Sequence, residues 1–148
     1  MNATERMLIH HECERLVSAY CHYVDHGEAT RIADLFTEDG VWASPEITMN
    51  GREEIRKAMG VRQANTARMS RHVCNNFLLD VIEEGHAEGT VYLTLYRHDG
   101  EPDRETSPLS GAVMVGEYRD RFVQTPDGWR FQHREIGISF LRGEERLV

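Results

Sequence analysis

The chain has 148 residues, of which 40% are hydrophobic and 28% are charged, and its formal net charge is −8 at pH 7. This length predicts one domain over residues 1–148, with a core large enough to fold without metals or disulfides. The acidic balance excludes the cationic face that binding to nucleic acid or to an anionic membrane requires.

The lack of a recognisable signal peptide or membrane span, together with the cysteine pattern, predicts a cytoplasmic protein. Residues 1–17 lack the basic region, apolar stretch and cleavage site of a signal peptide. No apolar run approaches the roughly 20 residues that a membrane-spanning helix needs. Cys13, Cys21 and Cys74 form an odd set without C-x-x-C spacing, which is typical of small apolar core residues in a reducing compartment.

The first half of the chain has helical periodicity. Apolar residues at three-and-four spacing predict a helix over residues 4–26, which Gly27 ends in a left-handed cap. A second, short helix is predicted over residues 28–36. A third helix is predicted in residues 50–63, with Asn50 as its cap and acidic residues in its first turn.

The second half has the pattern of an antiparallel sheet. A turn at Asp39-Gly40 is predicted to lead into a short strand that holds Val41 and Trp42. Glu84-Gly85 is a hairpin turn between two later extended segments. Helices followed by strands predict an α+β fold whose sheet is covered on one face by helices. The four long extended segments are predicted at about 70–83, 87–98, 110–124 and 129–141.

The segment CHYVDHGE places two histidines and an aspartate at the end of the first helix. His22 and His26 lie four residues apart, as in some zinc sites. Helical phase turns both imidazoles away from the apolar stripe, so they are better explained as a solvated helix end that suits the helix dipole. Asp25 lies about 140° from the stripe centre, at the flank of the core, and periodicity alone leaves its role open.

The order of several short motifs resembles the SnoaL-like branch of the NTF2-like superfamily. These motifs are YVDHGEATRIADLFTEDGVW, GREEI, SRHVCNNFLLDV, GEYRDRF and DGWRF, and the resemblance extends from about Glu5 to Phe140. It implies an NTF2-like (cystatin-like) α+β cone. In such a cone a curved mixed or antiparallel sheet wraps around N-terminal helices and encloses an apolar pocket.

Within that superfamily, the layout is most similar to scytalone dehydratase and hexachlorocyclohexane dehydrochlorinase. The resemblance implies an Asp–His catalytic dyad formed by Asp25 and His72. It also implies that Tyr20 and Arg134 bind substrate, with Tyr20 standing where the dehydrochlorinase has a lysine. Val24 stands where scytalone dehydratase has a tyrosine, so that enzyme's substrate does not carry over.

Simpler structural roles stand beside these functional ones. His72 can be a core histidine bonded to backbone, and Tyr20 can be core packing. Arg134 can be a strand residue that pairs with Glu135 or Asp120. Which of two adjacent asparagines, residues 75 and 76, reaches the pocket stays open.

Two functions of different class follow from the resemblance. The first is a cofactor-independent lyase (a dehydratase or dehydrohalogenase), isomerase or cyclase on a small hydrophobic ring compound, with His72 as the base and Asp25 as its partner. The second is a non-catalytic ligand-binding protein or an assembly subunit similar to the small subunit of ring-hydroxylating dioxygenases. No metal and no cofactor motif is predicted. A small apolar or aromatic ligand and a homo-oligomer, dimer or trimer, are the expected partners.

Overall fold

The structure is a computed structural model and describes residues 1–143 and 145. Helix α1 comprises Ala3–Asp25, close to the predicted bounds. It begins with a capping box, in which the Asn2 side chain accepts from the Glu5 backbone N–H and the Glu5 side chain accepts from that of Asn2. Its buried face consists of Cys13, Leu16, Val17, Tyr20, Cys21 and Val24.

Two further helical segments follow α1. The segment Ala29–Leu35 is a short 3-10 helix where a short helix was predicted. Helix α2 comprises Arg52–Ala64, and Gly51, with a φ of 92°, occupies its N-cap position. Asn50 was predicted to be this cap, and the structure shows that prediction to be wrong because Asn50 belongs to the preceding strand. None of the helices in the described residues is long and apolar enough to cross a membrane.

Six strands form one sheet in the order β2-β1-β6-β5-β4-β3. Strand β1 pairs with β6 in parallel, and all other neighbours are antiparallel, so the sheet is mixed. The strands are β1 (Phe36–Ala43), β2 (Thr48–Asn50), β3 (Arg68–Glu83), β4 (His86–Asp99), β5 (Met114–Thr125) and β6 (Gly128–Leu141).

One predicted turn is wrong. Asp39-Gly40 lies inside β1, where the register against β6 shifts between Phe36 and Val41. The position favours glycine because a Cβ at Gly40 would lie 3.0 Å from the Phe36 side chain, which is a tight contact. The strand therefore absorbs an irregularity at the position that the sequence indicated as a turn.

The helices cover one face of the curved sheet and the core lies between them. In β4, alternate residues such as Ala87, Val91, Leu93 and Leu95 are buried, and they belong to the same core cluster as the apolar residues of α1. Register shifts interrupt the pairing of β3 with β4 and of β5 with β6. Bulges of this kind bend the strands, and the bend leaves a space between sheet and helices.

Candidate active site

Two elements bring the predicted dyad together. Asp25 is the last residue of α1, and His72 lies on the helix-facing side of β3. The Asp25 Oδ1 atom lies 2.6 Å from the His72 Nδ1 atom. The same carboxylate accepts the backbone N–H of His72 at Oδ2, at 2.7 Å. Both side chains are largely buried, with exposed fractions of 5% for Asp25 and 13% for His72.

A third donor completes the environment of the Asp25 carboxylate. The Ser70 hydroxyl donates to Oδ1 at 2.8 Å, and Arg62 Nη2 donates to the Ser70 oxygen at 3.0 Å. Because the carboxylate binds both the ring and the backbone of His72, it fixes the orientation of the imidazole. A carboxylate on Nδ1 favours the tautomer with the proton on that nitrogen, so the Nε2 lone pair is left to act as a base.

These hydrogen bonds set the ionisation of Asp25. Burial acts to raise the pKa of this carboxyl, but the hydrogen bonds from His72 and Ser70 and the charge of His72 outweigh it. The pKa therefore lies below its ordinary value of 3.8. Asp25 is thus a carboxylate at neutral pH, as a partner for an imidazolium must be.

The lowered pKa of Asp25 predicts acid sensitivity of the fold. Its contribution to stability is fully present above pH 3.8 and is lost as the pH falls through the lower, folded-state pKa. We expect the free energy of unfolding, measured in urea between pH 7 and pH 2.5, to decline less in the Asp25→Asn variant than in the wild type. Equal acid slopes for the two proteins would contradict this assignment.

His72 forms part of the wall of a cavity of about 460 Å³ between the sheet and the helices. Most of the wall is apolar, with contributions from residues such as Val24, Met59 and Leu93. The volume is in the range of small-molecule sites, which are mostly apolar and carry a few convergent polar groups. The arrangement therefore presents a held imidazole to a space that suits a small hydrophobic compound.

Tyr20, one of the predicted binding residues, lies in this wall. Its oxygen accepts a hydrogen bond from Trp42 Nε1 at 3.0 Å, and its ring makes an edge contact with the His72 ring at 6.5 Å between centroids. Burial raises the pKa of Tyr20 to about 12, against the opposing charge of Arg134. The phenol is thus protonated at neutral pH and has a hydrogen to donate.

Arg134, the other predicted binding residue, lies behind the wall. It is fully buried, and its Nε and Nη2 donate to Asp120 Oδ1 and Oδ2 at 3.0 and 3.4 Å. Its guanidinium carbon lies 3.5 Å from the ring centre of Tyr118 and 4.4 Å from that of Tyr20. In the described residues it is not part of the cavity wall. The arginine therefore packs against the rings of Tyr20 and Tyr118, and its remaining nitrogen, Nη1, is buried without a hydrogen-bond partner among the described residues.

The two conspicuous histidines lie outside this site. His22 and His26 are exposed, and their rings stack with centroids 5.8 Å apart. Within residues 1–143 and 145, no cluster of three or more histidine, cysteine or acidic side chains is arranged to hold a metal. Asp25, which lies between them in sequence, points instead to the strand.

Sequence reasoning missed two members of the hydrogen-bond chain. Ser70 precedes His72 by two residues and hence shares its strand face, so period-two alternation contained the signal. Arg62 lies in the last turn of α2, where a basic residue is ordinary, and nothing in the sequence distinguishes it. The sequence did not decide which of Asn75 and Asn76 reaches the pocket. Among the described residues that line the cavity, neither is present, and both border a second recess on the other side of His72.

The fold and the site define an α+β protein whose helices and mixed sheet enclose an imidazole-bearing cavity. Residues 5–135 match the SnoaL-like domain, and the chain belongs to this family. The sequence is also 26% identical over 160 residues to the anthranilate 1,2-dioxygenase small subunit of Burkholderia cepacia, covering 99% of this chain and 97% of that one.

Solved structures confirm the NTF2-like fold. A provisionally assigned scytalone dehydratase of Novosphingobium aromaticivorans has a TM-score of 0.79 at 20% identity, covering 94% of this chain and 89% of its own. An NTF2-like protein with a cystatin-like fold from the same organism scores 0.76 at 26% identity, covering 92% and 86%. LinA scores 0.76 at 17% identity, covering 95% and 92%.

Proposed function

We propose that the protein is a cofactor-independent lyase or isomerase that acts on a small compound with a hydrophobic ring. The observation that carries the proposal is the 2.6 Å contact between Asp25 and the Nδ1 atom of His72, in the wall of a cavity of about 460 Å³. A buried carboxylate behind an imidazole, with open space before it, is the arrangement that general-base catalysis needs.

In an elimination, His72 Nε2 takes a proton from a ring carbon. The electron pair of the broken C–H bond forms the double bond, and the leaving group departs from the neighbouring carbon with its own pair. Asp25 stabilises the imidazolium that results. Tyr20 can donate its phenol hydrogen to the leaving group or to a developing oxyanion, which is the usual electrostatic contribution. An isomerisation uses the same first step and returns the proton elsewhere.

Proton exchange tests this function before the substrate is known. We expect the protein, without added cofactor, to catalyse deuterium incorporation or elimination in D₂O for some member of a panel of cyclic ketones and halogenated rings. The rate for that compound should fall at least about 100-fold in the His72→Gln variant, because the base is lost. NMR follows both reactions. A variant as active as the wild type would remove His72 from the mechanism.

The second candidate is a non-catalytic assembly subunit. The 26% identity to a dioxygenase small subunit over nearly the whole of both chains favours it. A row of side chains across the outer face of the sheet also favours association. Val73, Thr94, Val115 and Phe140 are in register there, and Val73 and Phe140 are 46% and 71% exposed.

The two candidates differ in what they require of the cavity. An assembly subunit has no need of a space beside a held imidazole, which is why the enzyme is the first proposal. Both are compatible with a homo-oligomer, dimer or trimer, and light scattering of the purified protein tests that expectation. A panel without any exchange, combined with a stable oligomer, would favour the assembly subunit.

A further inference from the structure

The polar groups of the cavity are concentrated at one end. Along the paired strands β3 and β4, Ser70 lies opposite Arg97 and His72 lies opposite Leu95. The next inward pair is Cys74 with Leu93. The cavity wall therefore changes from cationic to apolar along these strands, and His72 lies at the boundary.

Every charged side chain in the wall at that end is basic. Within the described part of the chain, the wall contains Arg62, Arg68 and Arg97 but neither an aspartate nor a glutamate. The carboxylates that pair with two of these arginines lie outside the wall. Asp99 binds Arg68 at 2.9 Å, and Glu145 binds Arg97 at 3.0 Å. A protein with a net charge of −8 thus lines one end of its cavity with hydrogen-bond donors.

Arg62 differs from the other two arginines in its partner. Its guanidinium donates to a hydroxyl, Ser70 Oγ, at 3.0 Å, and it forms no ion pair within residues 1–143 and 145. Burial and the charges of Arg68 and Arg97 lower the pKa of Arg62, although Asp25 and Asp99 oppose this effect. A partly buried guanidinium beside two others is stabilised by an anion, and a carboxylate fits its planar fork with two parallel hydrogen bonds.

We propose that the cavity binds a carboxylate-bearing hydrophobic compound, with the carboxylate on Arg62 and the apolar body against the Leu93 end. His72 then faces the ring carbons nearest to the acid group. This inference rests on the proposed function only in treating the ligand as the substrate. It narrows the substrate class from apolar ring compounds to ring carboxylic acids and their close relatives.

A matched pair of probes tests the acid preference by calorimetry. 2-Naphthoate and 2-naphthamide have nearly the same shape and differ in charge. We expect the naphthoate to bind at least about tenfold more tightly, because a charge-assisted hydrogen bond is stronger than a neutral one. In Arg62→Met the ratio of the two affinities should fall to near one. In Arg56→Met it should be unchanged, because Arg56 lies on the same helix but pairs with Asp34.

Three outcomes would overturn the inference: equal affinities in the wild type, binding of neither probe, or an unchanged ratio in Arg62→Met. If Arg62→Met fails to fold, the affinities of the two probes for the wild type and the NMR signal of Arg62 still test the inference. The side-chain ¹⁵N resonance of Arg62 should shift with naphthoate and not with naphthamide. Failure of the enzyme proposal is distinguishable, because naphthoate should bind His72→Gln with its preference intact even if no reaction is ever found.

Discussion

Asp25→Asn is expected to slow the reaction that depends on His72 by about 10²- to 10⁴-fold while the fold is retained. Three donors converge on the two oxygens of this carboxylate: the Ser70 hydroxyl, the His72 backbone N–H and His72 Nδ1. An asparagine has one acceptor oxygen, so its NH₂ group must face at least one of these donors. If it faces the ring, the proton moves to Nε2 and the base is lost.

The tautomer of His72 is the direct readout of this effect. Long-range ¹H–¹⁵N NMR correlations of the neutral imidazole should show the Nδ1–H form in the wild type and a larger share of the Nε2–H form in Asp25→Asn. The matched control is Asp34→Asn, which removes an exposed carboxylate that pairs with Arg56. Its rate and its His72 tautomer should equal those of the wild type. Full activity in Asp25→Asn would refute the dyad.

Local periodicity predicted most of the fold. Helix α1 and the four long strands follow from apolar spacing because each has one buried face. The short strand β2 was not predicted, since three residues are too few to show alternation. Spacing alone also could not join Asp25 to His72, which lie 47 residues apart, and the resemblance to a family supplied that pairing.

The position of Arg134 shows where alternation fails. Trp129 and Phe131 face inward, so strict alternation would turn His133 inward and Arg134 outward. The register against β5 shifts between Arg121 and Phe122, and this irregularity leaves Arg134 fully buried. A one-residue shift moves every later side chain of the strand to the opposite face of the sheet. No residue pattern in β5 or β6 predicts where this shift occurs.

The buried pair of Arg134 and Asp120 predicts a large loss of stability when one partner is removed. Arg134→Met should lower the free energy of unfolding by about 3–5 kcal/mol, because it leaves an uncompensated carboxylate in the core. Burial raises the pKa of Asp120 even beside the arginine. Burying the charged Asp120 carboxylate is thus costly. The double variant Arg134→Met/Asp120→Leu should therefore recover most of the lost free energy of unfolding.

Urea unfolding of the single and double variants measures both effects. The matched control is Arg119→Met, because Arg119 lies on β5 next to Asp120 but its side chain is 62% exposed. That change should alter the free energy of unfolding by no more than about 0.5 kcal/mol. A loss in Arg134→Met as small as that of the control would contradict the pair's structural importance.

The double variant also separates two roles for Arg134. If the arginine only supports the rings of Tyr20 and Tyr118, the double variant should bind 2-naphthoate with an affinity within a few-fold of that of the wild type, because Arg62 is unchanged. If Arg134 instead holds the ligand, for example through its unpartnered Nη1 atom, the double variant should lose the preference for acid over amide as completely as Arg62→Met. The position of the guanidinium, between Asp120 and three aromatic rings, favours the first result.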